Sequence, residues 1–170
     1  MMDLCIHYQL FCGPLGLMAF SDSDWAGLVN QISVSGYCWF YGSCLIDWGC
    51  EKQRTVALSS MEAEYMALTM CLQTGLWLHS SLDQLSLPFV TPIPIAGNNK
   101  GSISLASNSS HHSHSKHIDI KYHFICEHID SGRFSVYWIH TSNNVADILT
   151  KPLQCDLHEV HVLGLHLVLH

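Results

Sequence analysis

Residues 17–27 read Leu17-Met18-Ala19-Phe20-Ser21-Asp22-Ser23-Asp24-Trp25-Ala26-Gly27. Four consecutive apolar residues followed by alternating Ser and Asp describe a buried strand that ends in a polar edge. Asp22 and Asp24 lie two apart, so on a strand both can point to one face. Downstream, Gly36-Tyr37-Cys38-Trp39-Phe40-Tyr41-Gly42 is aromatic-rich and bounded by glycines, which predicts a second strand. Cys44 to Trp48 together with Thr55 to Leu58 predict a third, with Glu51-Lys52-Gln53-Arg54 as its turn or polar face.

Helical spacing begins at Ser59. Ser59 with Glu62 three residues on fits a capping box, and Met61, Tyr65, Leu68 and Leu72 follow on one helical face. Gly75 is expected to end or kink this helix, with more helix from Leu76 to Leu85. Thr91-Pro92-Ile93-Pro94 reads as a linker into a short strand at Ile95-Ala96-Gly97. Ser102 to Ala106 predicts a short helix. Ile118, Tyr122, Ile125 and Ile129 predict an amphipathic helix stopped by Gly132. Phe134 to His140 reads as the last strand, and Val145 to Leu149 as a short helix before Pro152. Strands first, then alternating helix and strand, point to a mixed α/β sheet with helices packed on it.

The composition agrees with one compact domain. The chain has 170 residues, 48% of them apolar, which excludes wholesale disorder. Only 12% are charged, about half the usual share. Seven Lys and Arg stand against fourteen Asp and Glu, a formal charge of −7. That balance argues against a free-standing nucleic-acid binder, because phosphate affinity comes mainly from cationic side chains releasing counter-ions. No run of eighteen apolar residues predicts a membrane span, and the first residues lack a secretory pattern, so the expected location is cytoplasmic or nuclear. The eight cysteines are scattered without a CxxC pair and are expected to be reduced thiols.

The acids are few, and three of them fall at informative places. Asp22 follows the apolar strand. Glu64 lies about 60° from the centre of the stripe made by Met61, Leu68 and Leu72, so it is drawn toward the core and needs a partner. Asp147 opens the last short helix, where the dipole favours an anion. Singly they read as a turn Asp, a helix-flank Glu and a capping Asp. Together they place three carboxylates at the ends of separate elements of one sheet, a geometry suited to divalent cations with oxygen ligands.

Five strings carry a family resemblance, and they occur in order. They are Ser21 to Gly27; Ser35-Gly36-Tyr37; Lys52 to Leu68, with its core Ala57-Leu58-Ser59-Ser60-Met61-Glu62-Ala63-Glu64-Tyr65; Ser115 to Ile125; and Val145-Ala146-Asp147-Ile148-Leu149-Thr150-Lys151-Pro152-Leu153. They resemble the C-terminal ribonuclease H domain of Ty1/copia-type retrotransposon Pol polyproteins, over about Leu17 to Leu165. The resemblance implies a ribonuclease H-like fold, a five-stranded mixed sheet flanked by helices. It implies hydrolysis of the RNA strand of RNA–DNA hybrids by two Mg2+ (or Mn2+) ions held by four carboxylates. It also implies reverse-transcriptase and integrase portions of a parent polyprotein as partners. By motif, Asp22, Glu64 and Asp147 match the first, second and fourth carboxylates, the same acids that the pattern singles out. Residues 17–153 then form the domain, 1–16 a remnant of an upstream connection or a disordered N-terminus, and 154–170 a C-terminal tail.

The third carboxylate is absent. In Ile95-Ala96-Gly97-Asn98-Asn99-Lys100-Gly101, Asn98 stands where the resemblance calls for Asp. An amide keeps one acceptor oxygen but no charge and does not bridge cations as a carboxylate does. The expectation is a retained fold with impaired catalysis. Residues 28–34 are uncharged where the family has a charged loop, and Glu51 stands where it usually has Lys, which removes cationic or polar surface.

Candidate nucleic-acid contacts are Trp25, Lys116, His117, Lys121 and Lys151. Trp25 sits beside Asp24 and is placed to stack on a base, whereas Trp39, Trp48, Trp77 and Trp138 fall in apolar patterns and are expected in the core. The run His111-His112-Ser113-His114-Ser115-Lys116-His117 lacks a four-ligand zinc spacing and reads as a flexible loop. His158-Glu159-Val160-His161 is one residue short of the helical zinc-binding string.

Overall fold

The computed structural model describes residues 4–8, 15–27, 30–107 and 116–169, with the backbone alone for 116–120 and 169. In chain order the strands are β1 (Leu4–Ile6), β2 (Leu17–Asp24), β3 (Val34–Tyr41), β4 (Cys44–Lys52), β5 (Ile93–Gly97), β6 (Phe134–Trp138) and β7 (Leu167–Leu169). The helices are α1 (Ser60–Gln84), α2 (Lys100–Ser107), α3 (Lys116–Asp130), α4 (Asp147–Thr150) and α5 (Cys155–Gly164). The main sheet has the order β4-β3-β2-β5-β6. Strands β2, β3 and β4 are antiparallel neighbours, while β5 runs parallel to both β2 and β6. This is the five-stranded mixed sheet that the sequence implies. Among the described residues no helix is long and apolar enough to cross a membrane.

Period-two alternation on β2 and β3 assigns the two faces. Leu17, Ala19 and Trp39 join Tyr65, Leu68 and Leu72 of α1, Ile125 of α3, and Ile93, Ile95 and Phe134 in the larger core. The opposite residues, Met18, Phe20, Cys38 and Phe40, pack with Leu45, Ala146 and Leu165 in a second core. Helices therefore cover both faces, as a sheet buried on both sides requires. The first and last described strands also meet. β1 pairs antiparallel with β7, and Ile6, Leu165 and Leu167 contribute to the second core.

Several sequence expectations need correction. Residues 44–52 form one strand, and 55–58 lie outside any strand, because β4 extends through the polar segment to pair Lys52 with Val34. Gly75 neither ends nor kinks α1, which runs unbroken for 25 residues. A Cβ on Gly75 would lie 2.5 Å from Trp39 Cζ2, so the glycine admits the indole rather than breaking the helix. Of the four tryptophans expected in the core, Trp39 alone is buried, with its indole N–H donating to the Cys71 carbonyl. Trp48 and Trp138 on strands and Trp77 on α1 are exposed, because an apolar neighbourhood in sequence does not tell which face is covered. Half of the expected capping box is present: Ser59 Oγ accepts from the Glu62 N–H, while Glu62 Oε2 accepts from the N–H of Leu58, one residue before the cap. Gly132 ends the third helix with φ +71°. The histidine loop at 111–115 falls outside the described residues.

Candidate active site

The site forms where β2 ends. Alternation along the strand turns Asp22 onto the face covered by α4, and its partner across the β2–β3 ladder is Gly36. A Cβ at Gly36 would lie 2.6 Å from Thr150 Cγ2 and 3.1 Å from Leu149 Cβ. The glycine thus lets α4 press against the sheet, and the Thr150 hydroxyl donates to Asp22 Oδ2. The approach of α4 is fixed by buried Asn144. Its amide donates to the Ser21 carbonyl at 2.9 Å, and its Oδ1 accepts from the Ala146 N–H at 3.3 Å.

Asp22 and Asp147 are both fully buried. Lys151 lies between them, with Nζ 3.6 Å from Asp22 Oδ2 and 3.1 Å from Asp147 Oδ2. The second Asp22 oxygen, Oδ1, accepts from the Asn98 amide at 3.0 Å. Asn98 is positioned in turn by Trp138, whose indole N–H donates to the Asn98 carbonyl at 3.0 Å. Lys100 sits 4.5 Å above the same indole. Asp147 Oδ1 is buried without a hydrogen-bond partner. Glu64 enters from α1 on the opposite side of β2, where the Ser23 backbone N–H bonds its carboxyl.

Burial dominates the electrostatics. It pushes the Glu64 carboxyl up to about 9, with Asp22 adding to the rise and the Ser23 N–H and Lys151 pulling back. It pushes Asp147 up to about 7, helped by the neighbouring Asp22 and opposed by Lys151. Burial works against the Lys151 ammonium, but Asp22 and Asp147 more than offset it and raise its pKa. Each of these shifts reports the same fact: the acids are within electrostatic reach of one another in a dry place.

The structure therefore brings Asp22, Glu64, Asp147, Asn98 and Lys151 together. It places Lys151 on the carboxylates rather than on open surface. Trp25, three residues after Asp22 in the chain, is half-exposed and tethered by its indole N–H to the Ala57 carbonyl at 3.1 Å. Lys121 lies apart from the acids, in a groove of about 410 Å3 that it lines with Lys52, Arg54 and Gln73. Lys116 and His117 belong to the first turn of α3, and their side chains lie outside the described residues. The sequence carries no signal for Thr150, which lies one residue past the helix expected at 145–149, and its apolar pattern places Trp138 in the core instead of beside Asn98. Sequence reading also missed His161, which α5 buries with neither ring nitrogen hydrogen-bonded. Burial and the Lys151 charge hold the His161 imidazole below its usual pKa, with Asp22 opposing.

Similarity to known proteins agrees with this geometry. The chain is 39% identical over 140 residues to the retrovirus-related Pol polyprotein from transposon RE1 of Arabidopsis thaliana, a match covering 82% of this chain. It is 35% identical over 153 residues, 88% of the chain, to the corresponding polyprotein from transposon TNT 1-94 of Nicotiana tabacum. The chain is thus similar, over most of its length, to a segment of copia-type Pol polyproteins. It spans only about a tenth of the length of these relatives. No protein-family profile matches it. Among solved structures, the N-terminal ribonuclease H domain of Rv2228c from Mycobacterium tuberculosis aligns with TM-score 0.58 at 15% identity, covering 88% of this chain and 98% of that one. LC11-RNase H1 in complex with an RNA/DNA hybrid aligns with TM-score 0.59 at 12% identity, covering 79% and 93%. These two likenesses establish a ribonuclease H-like fold for the Pol segment.

Could these residues hold a divalent cation? The donor set suits a hard cation: three carboxylates, no sulfur, and a buried Asp147 oxygen with no hydrogen-bond partner. Yet among the described residues no group of three or more His, Cys, Asp and Glu side chains is arranged as a metal cage. Both Asp22 oxygens are already engaged by protein donors. The residues fit one hard cation in chemistry, and fit poorly a pair of ions that would share Asp22 and a third acid at position 98.

Proposed function

We propose that this domain is the ribonuclease H segment of a copia-type Pol polyprotein, with hydrolysis of the RNA strand of RNA–DNA hybrids impaired by Asn98. The observation that carries this reading is the convergence of Asp22, Glu64 and Asp147 with Asn98 on one end of the sheet. Asp22, Glu64 and Asp147 would hold Mg2+ or Mn2+. When bound, such a cation supplies Lewis acidity toward water and the scissile phosphodiester.

The protein's own contributions follow from the hydrogen bonds. Asn98 fixes the orientation of Asp22 through Oδ1, and Trp138 fixes Asn98 through its carbonyl. Thr150 fixes the second Asp22 oxygen. Lys52, Arg54 and Lys121 offer three cations along one groove for the phosphates of the hybrid, with Trp25 as a half-exposed stacking surface. Arg54 is itself paired with Glu51 at 3.6 Å, which reduces the charge it presents. The net charge of −7 makes the isolated domain a weak binder, so the reverse-transcriptase and integrase portions of the polyprotein would supply most of the grip. The closed set of donors around Asp22 favours a second reading: a domain that holds hybrid or polyprotein partners without cutting.

Hydrolysis of a labelled RNA–DNA hybrid with Mg2+ or Mn2+ tests the proposal. The expected result is weak cleavage that Asn98→Asp increases by about 10^2–10^4, several kcal/mol at 1.36 kcal/mol per tenfold. Robust wild-type turnover that Asp22→Asn abolishes would overturn the impaired reading. No cleavage by either protein favours the binding domain.

A further inference from the structure

We propose that Lys151 is a built-in counter-ion for Asp22 and Asp147, and that a divalent cation binds these acids only by displacing its ammonium. This rests on the reading of Asp22, Glu64 and Asp147 as cation ligands, and it adds an internal competitor to that site.

The geometry assigns the role directly. Two fully buried aspartates share one ammonium, at 3.6 and 3.1 Å. Buried carboxylates this close repel strongly unless a positive charge stands between them, and here Lys151 is the only cation within 4 Å of either among the described residues. The lysine is tethered where it is needed. It follows Asp147 by four residues, and its backbone N–H bonds the Asp147 carbonyl at 3.2 Å. Its side chain remains 29% exposed. The ammonium therefore has a path to solvent while the acids have none.

Asn98 completes the arrangement. An Asp at this position would add a third negative charge against Asp22; the Asn98 amide adds a donor instead. With the Thr150 hydroxyl on the other oxygen, Asp22 is satisfied wholly by protein groups. A divalent cation and an ammonium cannot share this space, because both seek the same two carboxylates and repel each other. The site is thus folded and charge-compensated without metal, and cation binding is an exchange.

Calorimetric titration of MnCl2 into the metal-free wild type, Lys151→Met, Lys151→Arg and Asn98→Asp, paired with thermal unfolding in EDTA, tests this. Lys151→Met should bind Mn2+ at least about tenfold more tightly than wild type, and Lys151→Arg, which keeps the charge, should not. In EDTA, Lys151→Met should unfold on the order of 5 °C below wild type, and Mn2+ should restore the difference. Should it fold only with Mn2+ present, the exchange is confirmed in its strongest form. Should it fail to fold in either condition, Lys151→Gln takes its place. Equal or weaker Mn2+ binding by the neutral variant, while wild type binds, overturns the competition and leaves the cation-site reading standing. Absence of Mn2+ binding by every protein, Asn98→Asp included, sinks both.

Discussion

The Asn98 amide donates to Asp22 Oδ1 at 3.0 Å, so the residue that stands where the resemblance calls for Asp is itself a hydrogen-bond partner of Asp22. An amide at this position gives Asp22 a hydrogen-bond donor, which a carboxylate would not. This separates the effect of Asn98 on chemistry from its effect on stability. Asn98→Leu leaves Asp22 Oδ1 without a donor in a buried place, and should destabilise the metal-free protein by about 1–3 kcal/mol. Urea unfolding in EDTA measures it, and an unchanged midpoint would show that the bond contributes nothing.

Gly36 stands opposite Asp22 with Thr150 2.6 Å from where a Cβ would be. Gly36→Ala should push α4 off the sheet and cost about 1–3 kcal/mol. Because Thr150 and Lys151 move with α4, the same variant should loosen both of their contacts to Asp22. Chemical denaturation gives the first number, and the change in Mn2+ affinity tests the second. A variant as stable as wild type would mean that α4 is not held by this contact.

Glu64 gives a pH signature. Its folded pKa near 9 exceeds the unfolded value near 4, so between these limits the folded protein binds more protons than the unfolded one. The stability that Glu64 contributes therefore falls as pH rises through this window and is lost above about 9. Asp147, raised to about 7, acts in the same sense at lower pH. The buried imidazoles His128 and His161 have lowered pKa values and act in the opposite sense below about 6.5, so the decline stands out between pH 7 and 9. Glu64→Gln should flatten that slope in EDTA. A variant with the wild-type slope would assign it to the buried thiols, whose pKa values are also raised.

Gly75→Ala sets two effects against each other. Alanine favours an exposed helix interior by about 1 kcal/mol over glycine. Here the new methyl would meet Trp39 at 2.5 Å and Phe134 at 3.0 Å. Rigid aromatic neighbours in a packed core should win, giving net destabilisation of about 1–3 kcal/mol. Increased thermal stability would show that the rings can move aside.

Much of this fold is legible along the chain because local signals and burial agree. The run from Leu17 to Phe20, the Ser59–Glu62 cap and the Ile118–Ile129 stripe each specify one element by spacing alone. That Asp22, Glu64 and Asp147 draw attention together was legible for a related reason: a carboxylate beside an apolar strand or stripe needs a partner. What the sequence withheld were relations across the sheet. Nothing local distinguishes buried Trp39 from exposed Trp138, because both lie in strands rich in aromatics. Lys151 reads as a surface cation until β2 supplies Asp22 from 129 positions away. Gly75 looks like a helix breaker until the facing strand supplies an indole.

The pairing of β1 with β7 joins Leu4 to Leu169, Cys5 to Val168 and Ile6 to Leu167, with the outermost residues of both strands at the same end. Tension drawn outward through both ends would load these bonds one after another, like a zipper, rather than all together in shear. Three residue pairs opened in sequence offer little mechanical resistance. The ribbon would therefore open before the sheet that carries Asp22 is disturbed, losing the Ile6 and Leu167 contacts with the second core.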